Sequence, residues 1–368
     1  MNEDYKHLLR KGFVMSSLPE IDNNFIIETN IDKKDIVFYD IENDPFKIYG
    51  VFRENGLYRR MPEETALKVS EKVHFLHANT AGGRVRFVTD SQYVAVYVKM
   101  GKLKKSSHFA LAGSIGMDLY ADNYYVKSFI PPFDIDDGFE SIIEFSEKTK
   151  REITINLSSY SEVKQLFVGI QKDAVLEEAK PYINKKPIVY YGSSITQGAC
   201  ASRPGMSYQS IISRTFDYDY INLGFSGSAK AEDAMIEYIK SLDMSAFVYD
   251  YDHNAPTTEH LEYTHEKMFK AIRKTHPHIP IIIMSRPKHF LSDDEEIRRN
   301  IIETTYLNAK ENGDENVYFL DGKALTELCK DSGTVDNCHP TDFGFASIAT
   351  ALTDVFLTIK NKIEDEKK

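Results

Sequence analysis

Between residues 35 and 170 hydrophobic and polar positions alternate over short runs. Arg84-Val85-Arg86-Phe87-Val88 and Ile153-Thr154-Ile155-Asn156-Leu157 show the period of two that sends successive side chains to opposite faces of a strand. Runs rich in Val, Ile, Tyr and Phe at 83–87, 93–99, 106–112, 118–120, 124–129, 141–145 and 152–157 are separated by turn residues. Many short strands with frequent turn signals predict an all-β sandwich, jelly-roll-like in kind.

The rhythm then changes. Strand-like runs at 188–191, 220–223, 246–249, 279–284 and 317–320 enclose helix-like stretches at 207–216, 229–242, 257–275 and 292–312, and a last helix is expected over 343–359. The stretch 257–275 carries Leu261, Met268, Phe269 and Ile272 at near-helical spacing. The stretch 292–312 opens Ser292-Asp293-Asp294-Glu295, a capping-box pattern. Alternating strands and helices imply a five-stranded parallel sheet covered on both faces. Glu, Lys and Pro cluster over 176–186, which sets the expected boundary: a β-sandwich domain over 1–178 and an α/β domain over 184–368. Residues 363–368 form a charged tail expected to fray.

In an open α/β sheet ligands bind beyond the carboxyl ends of the strands, so the residues following each strand are the ones to read. They are Gly192-Ser193-Ser194-Ile195-Thr196-Gln197-Gly198, Gly224-Phe225-Ser226-Gly227-Ser228, Asp250-Tyr251-Asp252-His253-Asn254 and, before the last helix, Asp336-Asn337-Cys338-His339-Pro340. A serine hydroxyl is a weak nucleophile until a base takes its proton. His339 can be that base, and Asp336, three residues earlier, can hold the imidazole in the required tautomer. Acyl transfer also needs donors for a developing oxyanion. The backbone N–H of Gly227, the side-chain amide of Asn254 and the Ser194 N–H at a helix start can supply them. Asp250, Asp252 and His253 are read as structural hydrogen-bonding groups rather than metal ligands, because the chemistry calls for no metal or cofactor. Cys338 is read as incidental.

These four blocks resemble the SGNH/GDSL hydrolase superfamily. The resemblance puts Ser194 in the place of the nucleophile, Gly227 and Asn254 at the oxyanion positions, and Asp336 and His339 in the final Asp-x-x-His block. It implies a three-layer α/β/α domain. The aspartate usual before the nucleophile is Ser193 here, and Gly-Ser-Ser variants resemble a subset that includes carbohydrate esterases. The third block carries Asp252 where a glycine is usual. Gly116-Met117-Asp118-Leu119-Tyr120 resembles the Gly-x-Asp-Leu-Tyr segment of β-domains that precede such esterases. Two-domain proteins of this layout include enzymes that remove O-acetyl groups from plant-type polysaccharides and oligosaccharides. The resemblance thus implies a serine esterase acting on an acetylated oligosaccharide through an acetyl-enzyme intermediate. A lipase or lysophospholipase, an acyltransferase, and a carbohydrate-binding protein without activity are the alternatives. In the first half, Arg59-Arg60 and Gly82-Gly83-Arg84 are candidates for a sugar anchor or a domain interface, and Asp118 and Tyr120 are expected to brace their own domain.

Composition trims this picture. The 368 residues fit two domains at roughly 100–200 each. A net charge of −11 disfavours a nucleic-acid partner. Three cysteines at no metal-like spacing disfavour both a disulfide framework and a thiolate zinc site. The first ten residues include Glu3 and Asp4 and no apolar stretch follows, and no run approaches 18 apolar residues. A cytoplasmic protein with no membrane partner is expected, and a homo-oligomer stays open. Tryptophan is absent while Tyr and Phe number 22 each. That argues against a wide tryptophan-lined polysaccharide platform and for short, imported oligosaccharides.

Overall fold

A computed structural model describes residues 14–17 and 26–365. The alternating runs build two antiparallel sheets. In one the order is Tyr124–Phe129, Met117–Ala121, Arg151–Asn156, Arg84–Thr89, Leu176–Glu177, with Lys47–Tyr49 also on Arg84–Thr89. In the other it is Gly138–Glu144, Tyr93–Met100, Val163–Gln171, Ile36–Asp40. Val85, Phe87, Leu119, Ile153 and Ile155 of the first sheet interdigitate with Val94, Val96, Val98, Leu166 and Val168 of the second. The hydrophobic half of each alternation therefore fills the sandwich. The first sheet's Leu176–Glu177 strand lies inside the stretch read as the boundary.

Three features differ from expectation. The run 106–112 is not a strand but a turn leading into the short helix Leu111–Ser114. The strand Val163–Gln171, at the centre of its sheet, was not singled out. Two helices, Glu63–Val69 and Glu71–Leu76, interrupt the β texture; Ser70 caps the second by accepting from the Val73 N–H at 3.2 Å. Each is too short to display a helical period in sequence. Their apolar side chains Ala66 and Val73, with Met61, join Phe225, Met235 and Ile239 of the α/β domain in one core.

The second half forms a parallel sheet in the order Tyr220–Gly224, Ile188–Gly192, Ala246–Asp250, Ile281–Met284, Val317–Leu320. Its strands are buried on both faces, as runs of continuous hydrophobicity require. The helices Tyr208–Phe216, Asp233–Ser241, Thr258–Thr275 and Asp293–Glu311 fall where they were expected, and the Ser292/Glu295 capping box is formed. The last helix, Asp342–Asp365, continues through most of the predicted frayed tail; residues 366–368 lie outside the described ones. Its stretch Asp342–Lys360 is long and apolar enough, by length and composition, to cross a membrane. This departs from the expectation of no such run. Phe345, Ile348, Leu352 and Phe356 on that helix pack under the sheet with Tyr190 and Val248.

Candidate active site

The nucleophile turn sits where the strand Ile188–Gly192 meets the helix Ser194–Gln197. A Cβ at Gly192 would collide with the Asp250 carbonyl and the Thr196 hydroxyl, so only glycine lets the strands approach this closely. Ser193 caps the helix, its hydroxyl accepting from the Ile195 N–H at 3.2 Å. That is what the serine in the usual aspartate position does. Asp250, at the end of the neighbouring strand, lies beside the same turn and accepts from the Thr196 hydroxyl at 3.2 Å. Burial pushes the Asp250 carboxyl up to about 8, against hydrogen bonds from Thr196 and Ser193.

Ser194 is buried, and its Oγ lies 2.9 Å from His339 Nε2. His339 Nδ1 is 2.8 Å from Asp336 Oδ2, and the His339 backbone N–H donates to Asp336 Oδ1 at 2.8 Å. Partial burial pushes the Asp336 carboxyl up, but the hydrogen bonds from His339 hold it below its ordinary value. The three residues, up to 145 positions apart in sequence, thus form one continuous relay.

Gly227 adopts φ +66°, which favours glycine, and its missing side chain would point into open space. Its N–H and that of Ser194 have no hydrogen-bond partner among the described residues. The Asn254 amide donates one hydrogen to the Phe225 carbonyl at 2.9 Å, which ties it to the turn that carries Gly227. Its second amide hydrogen is left for a ligand. Asp252 is not a gap in the third block but its anchor. Its carboxylate takes Arg286 at 2.8 and 3.1 Å and Arg298 at 2.7 Å, while Arg298 also donates to the Asp252 and Ala255 carbonyls at 2.6 and 2.9 Å. The loop presenting Asn254 is therefore clamped by Arg286, from the loop after the strand Ile281–Met284, and by Arg298 of the helix Asp293–Glu311.

Among the described residues, two groups of side chains bring metal-ligating atoms within 4.8 Å of one another: His108, Cys200 and His339, and Glu63, His74 and His77. In the first, both ring nitrogens of His339 are engaged by Ser194 and Asp336. In the second, the Arg59 guanidinium already sits against Glu63, at 3.2 Å, and His77. The Asp250, Asp252 and His253 side chains do not converge on one another; the partners of the two carboxylates are those given above. The Cys338 thiol, pushed up to about 11 by burial, lies 3.8 Å from His253.

Several residues that pattern reading did not single out reach the site from the β-domain. The Tyr160 hydroxyl donates to the Ser194 carbonyl at 3.2 Å. Gln197 accepts from the Ser226 N–H at 3.0 Å and donates to Asn79 at 3.1 Å and the Ser159 carbonyl at 3.2 Å, so it links the nucleophile helix, the Gly227 turn and the β-domain. His108 lies tilted against His339 with ring centroids 5.8 Å apart, and Phe109 meets His108 edge-on at 4.6 Å and Tyr160 tilted at 4.7 Å. No local signal marks Tyr160 or His108; Gln197 stands inside the first block. The candidates Arg60 and Arg84 prove to be interface residues. Arg60 donates to the Asn222 and Gly224 carbonyls at 3.1 and 2.6 Å, and Arg84 pairs with Asp219 and lies 3.9 Å over the Tyr220 ring. Asp118 accepts from Asn156 at 2.7 Å in its own domain and from the Gly205 N–H at 2.8 Å in the other, and the Tyr120 hydroxyl donates to the Gly205 carbonyl at 3.4 Å. The Gly-x-Asp-Leu-Tyr segment thus braces the junction as well as its own sheet.

Comparison with known proteins agrees with this geometry. Residues 185–357 match the GDSL-like lipase/acylhydrolase family, and residues 36–176 match the N-terminal domain of SGNH-hydrolase-type esterases. No curated protein matches the chain. Among solved structures, a GDSL-like lipase-type protein from Bacteroides ovatus ATCC 8483 is 26% identical with a TM-score of 0.79, over 89% of this chain and 98% of that one. The salicylyl-acyltransferase SsfX3 of a tetracycline biosynthetic pathway is 17% identical with a TM-score of 0.72, over 89% and 98%. An acetyl xylan esterase from the rumen bacterium Butyrivibrio proteoclasticus is 15% identical with a TM-score of 0.57, over 89% and 99%. The last two share the fold. With a Ser-His-Asp relay on a parallel sheet, the chain joins a GDSL-like lipase/acylhydrolase domain to the N-terminal domain of SGNH-hydrolase-type esterases and is an esterase of that type.

Proposed function

We propose that this esterase removes O-acetyl groups from short carbohydrate chains, acting in the cytoplasm. The observation that carries the chemistry is the 2.9 Å contact between Ser194 Oγ and His339 Nε2, with Asp336 2.8 Å behind. His339 takes the serine proton as Ser194 attacks the acetyl carbonyl. The N–H groups of Ser194 and Gly227 and the free Asn254 amide hydrogen receive the oxyanion. His339 then protonates the departing sugar oxygen, which leaves as the hydroxyl, and water activated by the same ring releases acetate and frees the serine. The substrate class is supported by the likeness in fold, over both domains, to an acetyl xylan esterase. The aromatic fence of His108, Phe109 and Tyr160 beside the serine supports a small acyl group at this point.

The test is mass spectrometry of acetylated xylo- and manno-oligosaccharides before and after treatment. Loss of acetyl groups is expected; no acetate release across the panel, with p-nitrophenyl acetate still hydrolysed, overturns the carbohydrate reading. Preference for octanoate over acetate esters points instead to a lipase, and acetyl appearing on an added acceptor sugar points to a transferase. Asn254→Ala is expected to lower kcat by about 10²–10³-fold on whichever ester is used.

A further inference from the structure

A cleft of about 540 Å³ opens between the domains beside the oxyanion turn. Ser226 and Ser228, which bracket Gly227, form one wall, and Tyr160, whose hydroxyl holds the Ser194 carbonyl, forms another. The remaining wall is β-domain: Phe75, 54% exposed, and three exposed lysines, Lys72, Lys102 and Lys104. The segment that carries Lys102 and Lys104 continues to His108, which lies tilted against His339. One stretch of chain therefore borders both the cleft and the reacting groups.

The charge of this rim runs against the molecule. Acidic residues outnumber basic ones 56 to 45 in the chain as a whole. Some lysines elsewhere are paired with carboxylates, as Lys68 is with Glu64 and Lys186 with Asp243. The ammonium groups of Lys72, Lys102 and Lys104 form no ion pair among the described residues, although the Lys102 backbone N–H donates to the Glu162 carboxylate at 3.0 Å; Lys102 Nζ stands 5.2 Å from the Phe75 ring centroid. Glu71 is the single acidic residue on the same rim. Three exposed ammonium groups without an ion pair, beside an exposed ring, form a place for an anion attached to an otherwise neutral body. An acetyl group needs no cleft of this size, so the leaving sugar is what would occupy it.

We propose that the substrate is an acidic acetylated oligosaccharide, whose carboxylate or sulfate is held by Lys72, Lys102 and Lys104 while its ester reaches Ser194. This rests on the carbohydrate reading above and narrows it to charged sugars. The test compares kcat/KM for acetate release from three acetylated oligosaccharides of equal length: one neutral, one bearing a glucuronate and one bearing a sulfate. At low ionic strength at least one charged substrate is expected to exceed the neutral one by on the order of tenfold. The ratio should shrink toward one in 1 M NaCl, where the screening length is about 3 Å. It should also shrink in the Lys72→Ala/Lys102→Ala/Lys104→Ala variant, a readout that does not depend on the folded fraction. Equal turnover of all three by the parent protein overturns the acidic subsite and leaves the carbohydrate reading standing. Acetate release from none of them, with p-nitrophenyl acetate hydrolysed, overturns both. A charged preference that survives the triple substitution and high salt also overturns the assignment to these lysines.

Discussion

The two turns that carry the relay are held in opposite ways. The turn around Ser194 is buried and bonded from every side. Ser193 caps it, Asp250 lies beside it, Asn222 and Gln209 each donate to the Thr196 carbonyl at 2.7 Å, and Tyr160 reaches the Ser194 carbonyl from the other domain. The turn around His339 is self-contained. Asp336 receives both the ring and the backbone N–H of His339 and the Cys338 N–H at 3.2 Å, and the side chains of His339 and Asp336 keep 21% and 39% of their exposure. Ser194 is therefore positioned by tertiary structure, including a second domain, whereas most of the bonds that hold the Asp336–His339 pair come from its own short loop, including the Val335 N–H to the His339 carbonyl at 2.9 Å.

This contrast can be attacked at both ends. Ser194→Ala removes the only group that bonds to the acyl carbon, and activity on p-nitrophenyl acetate is expected to fall by on the order of 10⁶-fold without loss of thermal stability. Asp336→Asn leaves nucleophile and base in place but changes the partner of the imidazole; a loss of about 10⁴-fold is expected, short of the serine's. Equal losses would mean that the exposed pair matters as much as the buried serine. Tyr160→Phe cuts the link between domains at the Ser194 carbonyl. Denaturant titration should show about 0.5–1.5 kcal/mol of lost stability, with kcat reduced by less than about tenfold. A variant with neither change would detach the β-domain from nucleophile positioning.

The smallest effect concerns pH. Asp250 keeps its proton up to about pH 8 in the folded chain, whereas the unfolded carboxyl releases it near 3.8. Its contribution to stability is complete at low pH and is lost as pH rises toward 8. Burial brings His77 and His253 down to about 4 and His265 to about 3, so their contribution is present above 6.5 and is lost as pH falls. Asp250→Asn, which mimics the protonated acid, should gain on the parent as pH is raised from 6 to 8.5 in chemical denaturation. A difference between the two proteins that does not move with pH would show that Asp250 is ionised in the buried turn.

Much of the α/β domain is legible because its strands are short continuous apolar runs ending in polar clusters, and its helices are long enough to show their period. The β-domain is less so, for two reasons that its residues illustrate. Residues 106–112 have strand-like composition, but His108 and Phe109 are spent on a loop that packs against the site. Arg84 reads as an anchor or interface candidate, and it pairs with Asp219 and lies against Tyr220 of the other domain; Arg86, on the same polar phase, reads as solvent-facing but is buried against Glu152 and 4.0 Å over the Tyr182 ring. The alternation within the strand does not distinguish a face that meets another domain from one that meets water.

By itself the sequence determined the order of the chemistry: a serine, a glycine turn, an asparagine and an Asp-x-x-His pair, each after a strand or before a helix. Parallel connection puts the carboxyl ends of all strands on one edge, so order along the chain becomes proximity in space. Tertiary structure alone decided what surrounds that edge. Tyr160, His108 and the three lysines meet there because one domain docks on another. Contacts of that kind are made between residues far apart in the chain, where hydrophobic period and turn chemistry, which act over a few residues, carry no information about them.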